Sequence, residues 1–95
     1  MVALIEHVLP LGQTVATPGS LEALQEAGQT PLEFLERHRR GDWGDVCGED
    51  WTLNNLAREQ GDRILSAYRT TKGKKLWVIT EWDRSATTIL LPDEY

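Results

Sequence analysis

Ile64-Leu65-Ser66-Ala67-Tyr68-Arg69-Thr70-Thr71-Lys72-Gly73-Lys74-Lys75-Leu76-Trp77-Val78-Ile79-Thr80-Glu81 decides the fold. Residues 64–70 and 76–81 are rich in β-branched and aromatic side chains. The Thr71-Lys72-Gly73-Lys74 connection between them is short and puts glycine where a positive φ is needed. Beyond it come a polar turn, Asp83-Arg84-Ser85, and a third extended stretch at 86–91 that Pro92 ends. Three successive strands joined by short turns predict an antiparallel meander. A sheet this small is marginal unless something covers its apolar face, so the other half of the chain has to supply the cover.

That half changes period. A short extended segment at 13–16 lies between Gly12 and Thr17-Pro18-Gly19. Leu21, Leu24 and Ala27 then recur at helical spacing, with Thr17 as N-cap, Pro18 at the first helical position and Gly28 as the stop. Thr30-Pro31-Leu32-Glu33 has the form of a capping box and opens a second helix. Its apolar side is Leu32, Phe34 and Leu35, and it ends by Gly41. Gly41-Asp42-Trp43-Gly44-Asp45 is a loop. Glu49 and Asp50 open a third helix with Leu53, Leu56 and Ala57 as its stripe and Gly61 as its stop. The reading is a single α+β domain over 1–95, with three short N-terminal helices packed on a three- to four-stranded antiparallel sheet and 13–16 at one edge. Leu21, Leu24, Leu35, Leu53 and Leu56 are predicted to face Leu65, Trp77, Ile79 and Leu90 across one core.

Composition narrows the function. The chain has 95 residues, 40% hydrophobic and 26% charged, within the range of ordinary globular domains and outside that of disordered ones. Four tryptophans give it a large apolar payload for its size. Cys47 is the single cysteine, which excludes an intramolecular disulfide and a cysteine-based zinc site and fits a reducing compartment. The opening Met-Val-Ala-Leu-Ile-Glu-His-Val-Leu-Pro has no basic region and carries Glu6 within its apolar run. A cytoplasmic location without membrane contact is therefore expected. A net charge of −5 argues against general nucleic-acid binding. The basic residues cluster at Arg37, Arg39 and Arg40 and at Arg69, Lys72, Lys74 and Lys75, with Asp42, Asp45, Glu49 and Asp50 between them in sequence. Such polarity suits a protein partner of mixed charge.

Chemistry-bearing motifs are sparse. Neither histidine has metal-ligand spacing, and the glycines around Trp43 are flanked by aspartates that repel phosphate, so no metal or cofactor is expected. Cys47 has acidic neighbours, which oppose a reactive thiolate, and reads as passive. The polar turn Glu81-Trp82-Asp83-Arg84-Ser85 could do acid–base work. It reads more readily as a turn in which Asp83 caps backbone amides and Arg84 pairs with Glu81.

The segments Leu11-Gly12-Gln13-Thr14-Val15-Ala16-Thr17-Pro18-Gly19, Gly41-Asp42-Trp43-Gly44 and 79–95 resemble a family of small uncharacterised bacterial proteins found on plasmids and integrated mobile elements. Members of that family resemble one another over nearly the whole length, and some carry a restriction–modification label. Trp82 stands where the family has a small residue, and the segment before Pro10 is atypical. The resemblance implies no activity, cofactor or catalytic residue. With the small size, the acidity and the lack of catalytic motifs, it points to an accessory protein of mobile elements that acts by binding another protein, with bacterial defence or counter-defence as the expected setting.

On that reading Trp43, Asp42, Asp45, Asp83 and Arg84 form the binding residues and none is catalytic. Trp43 either pins its loop to the helices or stands exposed as an anchor with Asp42 and Asp45 as a polar rim. Two alternatives belong to other classes. A nuclease-like toxin would use Glu81, Asp83, Arg84 and His38, converging in a cleft. A nucleic-acid mimic would present a continuous acidic face.

Overall fold

The computed structural model describes residues 8–95. Its order is β1 (Gln13–Ala16), α1 (Pro18–Ala27), α2 (Pro31–Arg39), α3 (Gly48–Gln60), β2 (Ile64–Arg69), β3 (Lys75–Thr80), β4 (Ala86–Leu90) and a closing 3-10 turn, Pro92–Glu94. The class is α+β, with three helices and four strands.

Two parts of the predicted layout are corrected. The sheet, ordered β1-β4-β3-β2, is mixed: β2, β3 and β4 form the antiparallel meander, but β1 runs parallel to β4. The segment at 13–16 is indeed an edge strand. Its direction follows from the route by which the chain enters the sheet, which local pattern does not encode. Nor are the helices all N-terminal. β1 precedes them, α3 reaches Gln60 beyond mid-chain, and a 3-10 turn follows the last strand.

Helix ends follow side-chain chemistry with one exception. Thr17 caps α1 by accepting from the Ser20 amide, and Gly28 and Gly61 close α1 and α3 in the left-handed conformation. The capping box at α2 does not form. Thr30 makes no side-chain cap, and the Glu33 carboxylate accepts instead from the Gln29 amide at 2.7 Å.

The core has two parts where the sequence predicts one. Ala23, Leu24 and Phe34 pack on Tyr68, Leu76, Val78 and Ile89. Separately, Leu9, Trp43, Ala57 and Ile64 make a second cluster, with Leu11, Val46 and Trp51 against it. Leu24 is buried as predicted, but the strand residues it meets are Tyr68, Leu76, Val78 and Ile89. Leu65, Trp77, Ile79 and Leu90 alternate onto the other face, where Ile79 and Leu90 are buried and Leu65 and Trp77 half-buried, as Leu35 is on α2. The α3 stripe is wrong. Leu53 and Leu56 are 54% and 48% exposed, and Leu21 is 47% exposed. α3 turns Asn54 and Ala57 inward instead. Asn54 has a reason to be there: its amide donates to the Leu65 carbonyl at 2.8 Å, answering a strand group that would otherwise lack a partner.

Candidate functional site

The loop after α2 is built around Trp43, which is 0% exposed. Its indole N–H donates to Asn55 Oδ1 at 2.9 Å, the His38 ring meets its edge at a centroid distance of 5.5 Å, and Arg58 lies over its face. Backbone pairing explains the depth. The Ala67 N–H donates to the Trp43 carbonyl (3.1 Å) and the Asp45 N–H to the Ala67 carbonyl (2.6 Å), so the loop lies along the outer edge of β2 like a short parallel strand. Gly44 sits at the crossing point with φ 75°, and a Cβ there would run into the Ala67 carbonyl oxygen and the Tyr68 ring. The exposed-anchor reading of Trp43 is therefore corrected: the tryptophan pins the loop. Its neighbours serve the same end. Asp42 accepts from Arg37 Nε (2.8 Å) and from the Gly44 amide, and its carbonyl takes the Tyr68 hydroxyl. The Arg37 guanidinium holds the Asp42 carboxyl below the ordinary carboxylate range. Asp45 is exposed, with its carboxylate 3.9 Å from Arg69.

In the 81–85 turn, Asp83 Oδ1 accepts from the Ser85 amide at 3.1 Å, the amide cap read from the sequence. The hydroxyl and amide of Ser85 hold its carboxyl below its usual range. Arg84, at φ 61°, makes no pair with the Glu81 carboxylate. Its guanidinium donates to the carbonyls of Ala57 (2.9 Å), Asp62 (2.6 Å) and Glu81 (3.1 Å), closing the C-terminal end of α3, where a cation suits the helix dipole. The Glu81 carboxylate lies 4.0 Å from Arg63. The four residues of the toxin reading are thus each engaged elsewhere and share no cleft.

His38 is the group whose setting the sequence hides. It is fully buried, with Nδ1 2.5 Å from Ser66 Oγ and Nε2 2.8 Å from Thr80 Oγ1. Thr80 meets Thr87 at 2.7 Å, and the Thr87 hydroxyl donates to the Leu11 carbonyl at 2.8 Å. That last acceptor fixes every proton. Thr87 must accept from Thr80, Thr80 from Nε2–H, and Nδ1 must accept from Ser66. One tautomer satisfies the whole chain, which ties α2 to β2, β3, β4 and the segment before β1. Burial, with Arg84 as a nearby positive charge, pushes the His38 pKa down to about 4. A Ser–His contact resembles a catalytic pair, but Ser66 is also 0% exposed, and no substrate could reach either group.

Part of the exposed surface is apolar. The face of the sheet turned away from α1 and α2 carries Ile79 and Leu90, which are buried, Leu65, Ala67, Trp77 and Thr88, which are half-buried, and, from β1, the exposed Val15. Among the described residues the chain end lies over part of it: Tyr95 stacks edge-on against Trp77 at 5.8 Å, with Arg63 over the tyrosine at 5.0 Å. An open groove of about 330 Å³ continues from this face to α3, lined by Val46, Asp50, Leu53, Asn54, Arg63 and Leu65. Trp82 is 66% exposed. The charged surface alternates in sign, with Glu36 set against Arg39 and Arg40, Asp42 against Arg37 and Glu81 against Arg63. Among the described residues no helix is long and apolar enough to cross a membrane, and no three His, Cys, Asp or Glu side chains group to hold a metal ion. No protein-family model, curated protein or solved structure matches this chain.

Proposed function

We propose that this protein acts by binding another protein, through the groove where α3 meets β2 and the half-exposed side chains of the adjoining sheet face. One observation carries the reading. Leu53 and Leu65 share the groove with Arg63, Arg63 lies on Tyr95, and Tyr95 lies on Trp77, so large apolar side chains outside the core form a connected surface. Among the candidate site residues, Arg84 and Asp83 hold backbone groups and Asp42 holds Arg37. An enzyme of the toxin type needs convergent titratable groups in a pocket, and a nucleic-acid mimic needs unbroken negative charge. The geometry favours neither. The partner that fits is an apolar surface with a mixed-charge rim, matching Asp50 and Arg63 at the groove. Together with the sequence resemblance, this supports an accessory role in the cytoplasm of a bacterium, beside the defence or counter-defence machinery of a mobile element.

The test is capture of the partner from the bacterial host with tagged wild type and with Leu53→Glu/Leu56→Glu. Both leucines are about half exposed, so the double variant keeps its melting temperature. Loss of a reproducible partner at unchanged stability supports the surface. Capture of the same partner by the double variant refutes it.

A further inference from the structure

The two edges of the sheet are treated differently. On β2 the Trp43 loop answers both outward groups of Ala67, and Asn54 answers the Leu65 carbonyl. On β1 no described residue answers the outward groups. Gln13 N–H donates to the Ser85 carbonyl and Thr17 N–H to the Ile89 carbonyl, so odd residues face β4. The backbone groups of Thr14 and Ala16 consequently point away from the sheet. Natural edge strands are blunted by lysine, proline or a bulge. Gln13–Ala16 has none of these, and Gln13, Thr14 and Val15 are exposed.

Charge narrows what can pair there. The chain carries −5, yet no charged residue occurs from Val8 to Leu21 or from Ser85 to Pro92, the runs that hold β1 and its neighbour β4. A basic partner drawn by the acidity of the protein would find nothing here to attract it. A second copy, which the acidity repels elsewhere, finds a neutral strand. We propose that β1 pairs antiparallel with β1 of a second copy about a two-fold axis, joining two sheets into one of eight strands.

The outward groups set the register. Thr14 and Ala16 are the hydrogen-bonding positions, so Thr14 of one copy exchanges both bonds with Ala16 of the other, and the reverse. The axis passes between the two Val15 residues as a close, non-hydrogen-bonded pair. Val15, 43% exposed, is thereby covered by its own counterpart. Pro18 ends the ladder, because it has no N–H to offer opposite Gly12. On the helix side, Pro31 and Leu35 line a groove of about 230 Å³ beside β1, and Leu32 stands 63% exposed on the same helix. Both copies of α2 come to the same side of the joined sheet, adding apolar contact to the four backbone bonds.

Sedimentation velocity on the full chain, from micromolar to millimolar, tests this, and is independent of the partner reading because Leu53 and Leu56 lie on α3. Wild type should pass from monomer to dimer with concentration. Thr14→Pro removes only an outward N–H, so it should remain monomeric with an unchanged unfolding midpoint. Val15→Lys and Val15→Glu should each be monomeric alone through like charges at the axis, and mixing them should restore a salt-sensitive dimer. Wild type that stays monomeric throughout overturns the proposal. So does a dimer that survives Val15→Lys, or one that mixing fails to restore.

Discussion

Acid should cost this fold stability well before its carboxylates are protonated. His38 accepts from Ser66 and donates to Thr80 in its neutral form. A second ring proton would point at Ser66 Oγ and place an unpaired charge in the core. The folded pKa is pushed down to about 4, against 6.5 for an ordinary histidine. Between these values the unfolded chain binds the proton and the folded chain does not, so stability falls as pH falls from 6.5 towards 4. At 1.36 kcal/mol per unit, the full loss is about 3 kcal/mol. Small domains are stable by about 5–15 kcal/mol, so the effect is large. Glu36, Asp42, Asp83 and Glu94 are also held below their usual range, but their contributions fade only as pH falls through their own lowered folded values, below about 4.5. Urea unfolding at half-unit steps from pH 7.5 to 4.5 isolates the histidine. Two-bond proton–nitrogen spectra should show His38 as the Nε2–H tautomer, still neutral at pH 5. Stability flat over this window, a His38 midpoint near 6.5, or the Nδ1–H tautomer would refute the buried chain as described.

Other perturbations follow from the same contacts. Leu24→Ala empties a buried site and should cost about 2–5 kcal/mol by denaturant unfolding, whereas Leu56→Ala, half exposed, should stay within about 1 kcal/mol. Trp43→Ala should cost about 3–5 kcal/mol, lowering the melting temperature by several degrees as Asn55 loses its donor and the loop its pin. Cys47 caps α3 weakly, its sulfur accepting from the Asp50 amide at 3.5 Å, so Cys47→Ser should hold or raise stability by a few tenths of a kcal/mol up to about 1. Arg84→Ala strips a cation from three carbonyls and should cost about 1–3 kcal/mol, with faster amide exchange at the end of α3.

The meander was legible because alternation and a glycine turn are local, and Gly73 does sit at φ 82°. The caps at Thr17 and Gly28 were legible for the same reason. α3 was not. Leu53-Leu56-Ala57 and Asn54-Ala57 are both helical stripes, and the choice fell to a hydrogen bond with Leu65, eleven residues away. The parallel pairing of β1 depends on contacts more than seventy residues apart, such as Gln13 with Ala86. Among the candidate site residues, Trp43 and Arg84 drew notice through unusual composition, and both serve the scaffold. The glycines beside Trp43 were the available signal for a buried loop, since Gly44 is needed only where backbone meets backbone. His38 gave no signal, because its partners Ser66 and Thr80 read as ordinary strand residues.

In polymer terms, a sheet with two bare edges is a bifunctional monomer, and a sheet with one is monofunctional. The Trp43 loop decides which kind this protein is. With Ala67 of β2 already paired with the loop backbone, edge pairing through β1 uses the edge that no described residue covers, and growth terminates at two copies as a closed point group. The dependence rests on a single atom's worth of space, since any side chain at Gly44 would lift the loop from Ala67. Once that end is uncovered, each molecule can react at both ends, and the same pairing that closes a dimer would propagate a fibre. The loop is therefore this fold's chain terminator.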